Sequence, residues 1–327
     1  MPPEKPEIVI VDSLDSLQKI AGWDIWETSR PTTTEPLPFR IADCPGKGVG
    51  IFAVRPIKAG ELIMSERPVF VTPYTLTYGY DQTFANGILH RAALSSLSEE
   101  ARASIMSLKN CWGTELDEVT GILRTNFLQV DLVDEPQELD TNLGCFPTLS
   151  RANHDCSPTA NYFFSFKSFT GQFWATRDIA KDQEITILYT HLLCPRSERQ
   201  ASLRDRFKFT CACRTCSLRP AKAAASDARR QALARLDAHV DSGVFPPSMT
   251  LKDIEDGLGW ASDEGIAVCY ARLLLSGVEF SVTKKDFVTA KQWAKRAKKA
   301  YRKVEGEGSY NVKRMDDIRN ALQEAPT

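Results

Sequence analysis

The sequence predicts an α+β fold, and three observations carry that prediction. Short apolar or alternating runs occupy 39–71 and return over 144–190. Between these stretches, and again after Cys216, apolar residues recur at helical spacing. Three cysteines close the second β-rich stretch, in Phe209-Thr210-Cys211-Ala212-Cys213-Arg214-Thr215-Cys216. The 327 residues leave room for about two domains and a substantial core.

Near the start, Ile8–Val11 reads as an edge strand, and Pro31-Thr32-Thr33-Thr34-Glu35-Pro36-Leu37-Pro38 as a linker. Ile51–Val54 and Glu61–Glu66 are brief strands joined through a turn at Lys58-Ala59-Gly60. Residues 83–128 read as helical. Ser98, with Glu99 and Glu100 after it, opens one helix whose apolar residues are Ala101, Ile105 and Leu108. Thr114 is the expected cap of another, with Leu116, Val119 and Leu123 on one stripe. Phe163–Phe169, Gln172–Thr176 and Glu184–Tyr189 are the later strand candidates. Beyond Cys216, Ser226 is the expected cap of a helix with Leu233, Leu236 and Val240 inward and Gly243 at its end. A second long helix is expected from about Asp286, with the seam Phe287, Ala290, Ala294, Ala297, Tyr301 and Val304. Lys291, Lys295, Lys298, Lys299, Arg302 and Lys303 lie mostly off that seam. Small seam residues suit helical-hairpin packing, although no clean repeat period is present.

Apolar content of 43% and charged content of 25% are those of an ordinary soluble globular protein. A net charge of -1 gives no global attraction to nucleic acid, so such binding would need a local basic patch. Met1–Arg30 has no charged-then-apolar leader, and secretion is not expected. No apolar run approaches the roughly 20 residues of a membrane span. Nine cysteines is an odd number, which favours a reducing compartment and a metal site over a disulfide framework. The C-x-C-x-x-C run is one thiolate short of a tetrahedral zinc site, and Cys156 is the candidate for the fourth ligand.

Four blocks, in this order, resemble a SET-domain protein lysine methyltransferase, nearest to the SET-MYND branch and its fungal relatives. The first is Gly46-Lys47-Gly48-Val49-Gly50-Ile51-Phe52-Ala53, whose glycines allow close backbone approach to a ligand or serve a plain turn. The second is Thr125-Asn126-Phe127, where Asn126 either contacts a ligand or closes a turn. The third is Asn153-His154-Asp155-Cys156-Ser157-Pro158, with Ser150 just before it. A lone His154 would read as a satisfied core histidine. The fourth runs from Ile185-Thr186-Ile187-Leu188-Tyr189 to Cys216. A tyrosine at a buried strand end is ordinarily core, so Tyr189 draws its role from the resemblance.

The resemblance implies a SET domain over 38–220, with a helical insert at about 75–125 and a post-SET zinc motif over 207–218. A 1–37 extension would precede it and a helical, hairpin-repeat-like domain over 221–327 would follow. It also implies S-adenosylmethionine held by Lys47, Gly48, Val49, Gly50, Asn126, Ser150, Asn153, His154, Tyr189 and Phe209. Tyr189 would be the catalytic residue, and Cys156, Cys211, Cys213 and Cys216 would hold a structural Zn²⁺. The implied partner is a protein presenting a lysine, histone or non-histone. A monomer in cytoplasm or nucleus is expected, with no direct nucleic-acid or membrane binding.

The sequence departs from the family pattern at several points. Asp155 replaces a serine, Asn161 is displaced by Thr159-Ala160, and Lys181-Asp182-Gln183-Glu184 replaces a Gly-Glu-Glu turn. Leu188 stands where a small residue precedes the tyrosine. The branch's own zinc-finger insert is not expected, because only Cys111 and His90 are available between Glu66 and Gly144. Two other classes compete: a non-catalytic SET-like scaffold, and a zinc-stabilised helical adaptor whose Lys-rich face does the work.

Overall fold

A computed structural model describes residues 7–22, 36–78, 83–132 and 141–324. Strand β1 (Val9–Ile10) and helix α1 (Leu14–Ala21) come first, then β2 (Phe39–Cys44), β3 (Gly48–Ala53), β4 (Leu62–Glu66) and β5 (Phe70–Pro73). Helices α2 (Tyr74–Tyr78), α3 (Thr83–Ser96), α4 (Glu99–Met106) and α5 (Glu118–Asn126) form an insert. The chain returns to strands in β6 (Phe127–Asp131), β7 (Thr141–Cys145), β8 (Asn153–His154), β9 (Ala160–Ser165), β10 (Thr170–Ala175) and β11 (Glu184–Ile187). Helices α6 (Arg196–Phe207), α7 (Pro220–Ser242), α8 (Leu251–Glu264), α9 (Ala267–Thr283), α10 (Phe287–Glu305) and α11 (Tyr310–Glu324) complete it.

Three small sheets, in strand orders β1-β5-β7-β6, β4-β10-β9 and β2-β3-β11-β8, meet around a core of Ile51, Ile63, Phe146, Phe173 and Ile185. The sheet that carries the site sets β8 parallel to β11, with Thr186 opposite Asn153 and Ile187 opposite His154. A second core, built on Phe70, Leu97, Ile105 and Leu123, holds the insert together. The third is the most telling. It joins Cys156, Cys211 and Cys216 to Leu203 of α6 and to Leu233, Leu273 and Trp293 of the C-terminal helices. The cysteine cluster is therefore part of the apolar joint between the β-rich half and the helical half. Asn161 of β9 adds a hydrogen bond of 2.8 Å to the carbonyl of Val304 on α10.

Several local expectations are met. Ser98 caps α4 by accepting from the Ala101 amide, Asp286 caps α10, and Gly243 ends α7 in the left-handed region. Val9–Ile10 lies at a sheet edge. Others are corrected. Asp117, not Thr114, caps the helix it opens, because its carboxylate reaches the Thr120 amide. Helix α7 begins at Pro220, whose missing N–H and fixed φ suit a first turn, and Ser226 lies buried inside it. Phe287 stays half-exposed, and Trp293 joins the buried seam of α10. The strand expected over Phe163–Phe169 stops at Ser165. A 3₁₀ turn, Phe166–Ser168, and a left-handed Phe169 (φ 51) reverse the chain there. The return to β begins at Phe127, earlier than expected. Residues 31–35 of the expected linker lie outside the described residues.

Candidate active site and cysteine cluster

The site assembles where β3, β8 and the end of β11 meet. The β2–β3 hairpin turns over Pro45–Lys47, with the Lys47 amide bonded to the Cys44 carbonyl at 2.9 Å. Gly48 (φ 87) already belongs to β3, so the glycine segment is a turn and the first half of a strand, not a turn throughout. At Gly50 a Cβ would stand 2.9 Å from Nδ2 of Asn153 and 3.3 Å from Cβ of Cys44, so glycine leaves room for the Asn153 amide against β3. Asn153 uses that amide twice, donating to the carbonyl of Val49 at 3.1 Å and to Glu184 Oε1 at 2.9 Å. Lys47 Nζ reaches the other oxygen of Glu184 at 2.6 Å. Glu184 thus ties the hairpin to Asn153. Its placement at the start of β11, opposite Phe52, was legible only as a departure from the family turn.

His154 is buried, and that burial pushes its imidazole down to about 4. The ring is therefore neutral near pH 7. Its Nδ1 accepts the backbone N–H of Tyr189 at 3.0 Å, which places the ring proton on Nε2. Nε2 lies 3.3 Å from Sγ of Cys156. Tyr189 sits two residues beyond the end of β11, not at the strand end itself. Its hydroxyl donates to the carbonyl of Ala152 at 2.6 Å. Burial, reinforced by the carboxylate of Glu184, raises its phenol above the ordinary value, so it stays protonated. Phe207 stacks on Tyr189 with ring centroids 4.7 Å apart, and Phe209 lies 6.3 Å from the His154 ring. Phe207 was missed by the sequence reading. It is the last residue of α6, just before the αL C-cap Lys208 (φ 58).

Asn126 and Ser150 pair with each other instead of joining this group. The Ser150 hydroxyl donates to the Asn126 carbonyl at 2.7 Å. The Asn126 carboxamide turns inward and donates to the carbonyls of Lys109 and Ile122, both at 2.7 Å. The side chains of both residues are committed to closing the end of α5.

Cys156, Cys211, Cys213 and Cys216 come together with their sulfurs all within 4.8 Å of one another. Cys156 and Cys216 are 3.6 Å apart. Zinc–sulfur bonds of about 2.3 Å in a tetrahedron separate the sulfurs by about 3.8 Å, so the four thiols fit one Zn²⁺. It is the only such cluster among the described residues. Second-sphere contacts fix the backbone of the ligands. Gln200 exchanges two hydrogen bonds with Cys211, Arg196 donates to the Cys216 carbonyl at 3.0 Å, and Arg230 donates to the Cys156 carbonyl at 2.9 Å. Arg230 is fully buried and also binds Glu264 at 2.8 Å. Burial alone would raise Glu264. Ser226, Arg230 and Arg229 outweigh it and hold the carboxyl below its ordinary range. Gln200 lies within the fourth block, while Arg196, Arg229, Arg230 and Glu264 are charged residues on helices rich in them and do not stand out in the sequence.

Residues 48–190 match the SET domain family. The chain thus carries a SET domain. More particularly, it is 28% identical over 277 residues to histone-lysine N-methyltransferase set5 of Schizosaccharomyces pombe, covering 83% of this chain and 80% of that protein. N-lysine methyltransferase SMYD2-B of Danio rerio is 33% identical over 85 residues, or 26% of this chain and 19% of its own length. Histone-lysine N-methyltransferase SMYD3 of Homo sapiens is 34% identical over 77 residues, covering 24% and 18%. The chain thus spans about a fifth of these last two relatives, and most of the first. Among the described residues no helix is long and apolar enough to cross a membrane.

Proposed function

We propose that this chain is an S-adenosylmethionine-dependent protein-lysine N-methyltransferase with a structural Zn²⁺. The observation that carries the reading is the doubly anchored Tyr189. Its backbone amide is fixed by His154 and its hydroxyl by the Ala152 carbonyl, beside the glycine hairpin, within a SET domain. Three named methyltransferases among the relatives support it.

When bound, S-adenosylmethionine supplies an electrophilic methyl group on a sulfonium. The residues that would hold it are the exposed edge Lys47–Val49, Asn153, His154, Tyr189 and Phe209. The fit rests on chemistry already in place: the exposed backbone of Lys47–Val49, and the rings of Tyr189 and Phe209 packed about His154. Tyr189 acts as a positioned dipole. Its proton is given to Ala152, which leaves the oxygen lone pairs as acceptors, and its raised pKa rules it out as a base near pH 7. The accepting lysine must be neutral to attack. The aromatic surroundings of Phe207 and Tyr189 favour the uncharged amine, because desolvation lowers an amine pKa. Alignment of amine and methyl can remove about 7–11 kcal/mol of barrier at best. The metal would be structural, since four thiolates leave no open position. Histones are a substrate class to test first, given the printed names of set5 and SMYD3, and nuclear or cytoplasmic residence follows from that class.

Isothermal calorimetry with S-adenosylmethionine tests the reading. Saturable binding by the purified chain is expected, and no heat at millimolar cofactor would overturn it.

A further inference from the structure

Lys208 stands between the two aromatic residues of the site, Phe207 and Phe209, and its side chain leaves the SET core altogether. Its ammonium lies 4.2 Å from the centroid of the Trp112 ring and 2.8 Å from Glu115 Oε2. Both partners belong to the loop between α4 and α5, in the helical insert. Two residues back, the Arg206 carbonyl accepts from Sγ of Cys111 in the same loop at 3.8 Å. Thr125 of α5 steadies that cysteine by donating to its sulfur at 3.2 Å. The loop at 111–115 therefore grips residues 206–208 on one side, while Phe207 and Phe209 face Tyr189 and His154 on the other.

The geometry points to an insert-to-post-SET latch: Trp112 and Glu115 hold Lys208, and through it position Phe207 and Phe209 against Tyr189 and His154. The inference deepens the methyltransferase reading and rests on it for its effect on cofactor. Lys208 adopts the left-handed region (φ 58, ψ 29) as the C-cap of α6, a conformation glycine takes more readily. A lysine is therefore not placed there for its backbone. What its side chain adds is a cation over an indole and opposite a carboxylate. The Lys208 backbone is short and stiff on both sides, bounded by α6 and by Cys211, so restraining this one residue restrains both flanking rings. Trp112, Glu115 and Lys208 are positioning residues. They act through Phe207 and Phe209 and need not touch the cofactor or the lysine.

The test compares Lys208→Gly, Lys208→Arg and Trp112→Ala with the wild-type chain. Hydrogen–deuterium exchange over 204–210 reads the latch without any ligand, and calorimetry with S-adenosylmethionine reads its consequence. Lys208→Gly relieves the αL backbone, so its melting temperature should hold, while exchange over 204–210 accelerates and cofactor Kd rises about threefold to tenfold. Trp112→Ala should do the same from the other side of the contact. Lys208→Arg keeps the cation and should restore wild-type exchange and Kd. Unchanged exchange in both Lys208→Gly and Trp112→Ala overturns the latch, as does Lys208→Arg behaving like Lys208→Gly. Accelerated exchange in variants of a chain that binds no cofactor even as wild type would leave the latch standing and remove the methyltransferase reading instead.

Discussion

Tyr189 and Cys156 are joined through a single imidazole: Nδ1 of His154 accepts the Tyr189 amide at 3.0 Å, and Nε2 faces Cys156 Sγ at 3.3 Å. The cysteine cluster and the tyrosine loop are thus parts of one assembly. Damage to either should be felt at both.

Metal removal should show this. Metal analysis of the purified chain is expected to return about one zinc per chain. Cys213→Ser should lower zinc content and drop the melting temperature by about 5 °C or more, because binding free energy of a structural metal is folding free energy. Cofactor affinity should fall with it. Full stability after exhaustive chelation contradicts the structural role.

Asn153 braces the hairpin against Glu184 and Val49. Asn153→Ala removes both bonds and frees the exposed Lys47–Val49 edge. Cofactor binding is expected to weaken at least tenfold, about 1.4 kcal/mol. A titration giving wild-type affinity for this variant would take Asn153 out of the site.

Arg230 joins the Cys156 and Leu192 carbonyls to Glu264 with no exposed surface. Arg230→Ala strips a buried carboxylate of one partner and leaves two carbonyls without a donor. Urea unfolding should register a loss of about 3–5 kcal/mol. A loss below about 1 kcal/mol, the scale of an exposed pair, would mean that Arg229 carries Glu264 by itself.

Glu305 ends α10 in a buried position, and that burial lifts its carboxyl to about 7 despite hydrogen bonds from Asn311 and Ser309. The folded chain then holds this proton more tightly than the unfolded chain, whose carboxyl titrates near 4.5. Its contribution is fully favourable below about pH 4.5 and is lost as pH rises through about 7. Glu305→Gln, which cannot ionise, is expected to melt above wild type at pH 8 and nearly level with it at about pH 4, below the unfolded carboxyl's value. The gap is at most about 3 kcal/mol. An equal gap at both pH values would contradict the buried titration.

Much of the molecule was legible because some residues admit few conformations. Gly60 (φ 87), Gly243 and the caps Ser98 and Asp286 announced their turns and helix ends. The cysteine spacing announced a metal cluster before any geometry was known. What could not be read depended on tertiary contacts. Helix α9 is buried on most sides between Cys269 and Ser281, and its apolar residues Leu273, Leu274 and Leu275 run consecutively, so the inward face does not stand out in the sequence. Phe169 takes a left-handed conformation that no aromatic residue advertises, and with the 3₁₀ turn before it reverses the chain after the strand stops at Ser165. Ser226 looked like a cap, and is instead drawn inside α7 by Glu264, 38 residues later. At the site, Asn153, His154, Tyr189 and Phe209 could be grouped by motif. Asn126 and Ser150 look the same in sequence but spend their side chains on the end of α5. The roles of Glu184 and Arg230 were not legible because their partners, Lys47, Asn153, Cys156 and Glu264, are distant in the chain.

The central claim is methyl transfer to lysine, and labelled S-adenosylmethionine incubated with core histones and with cell lysate tests it most directly. The wild-type chain should deposit label on lysine, at a rate that rises from about pH 7 to 9 as the amine loses its proton. Tyr189→Phe, which keeps the ring and loses only the hydroxyl, should bind cofactor nearly as well and turn over about tenfold to a thousandfold more slowly. A wild-type chain that binds the cofactor and labels no lysine in either preparation would contradict the account and leave a SET-like scaffold in its place.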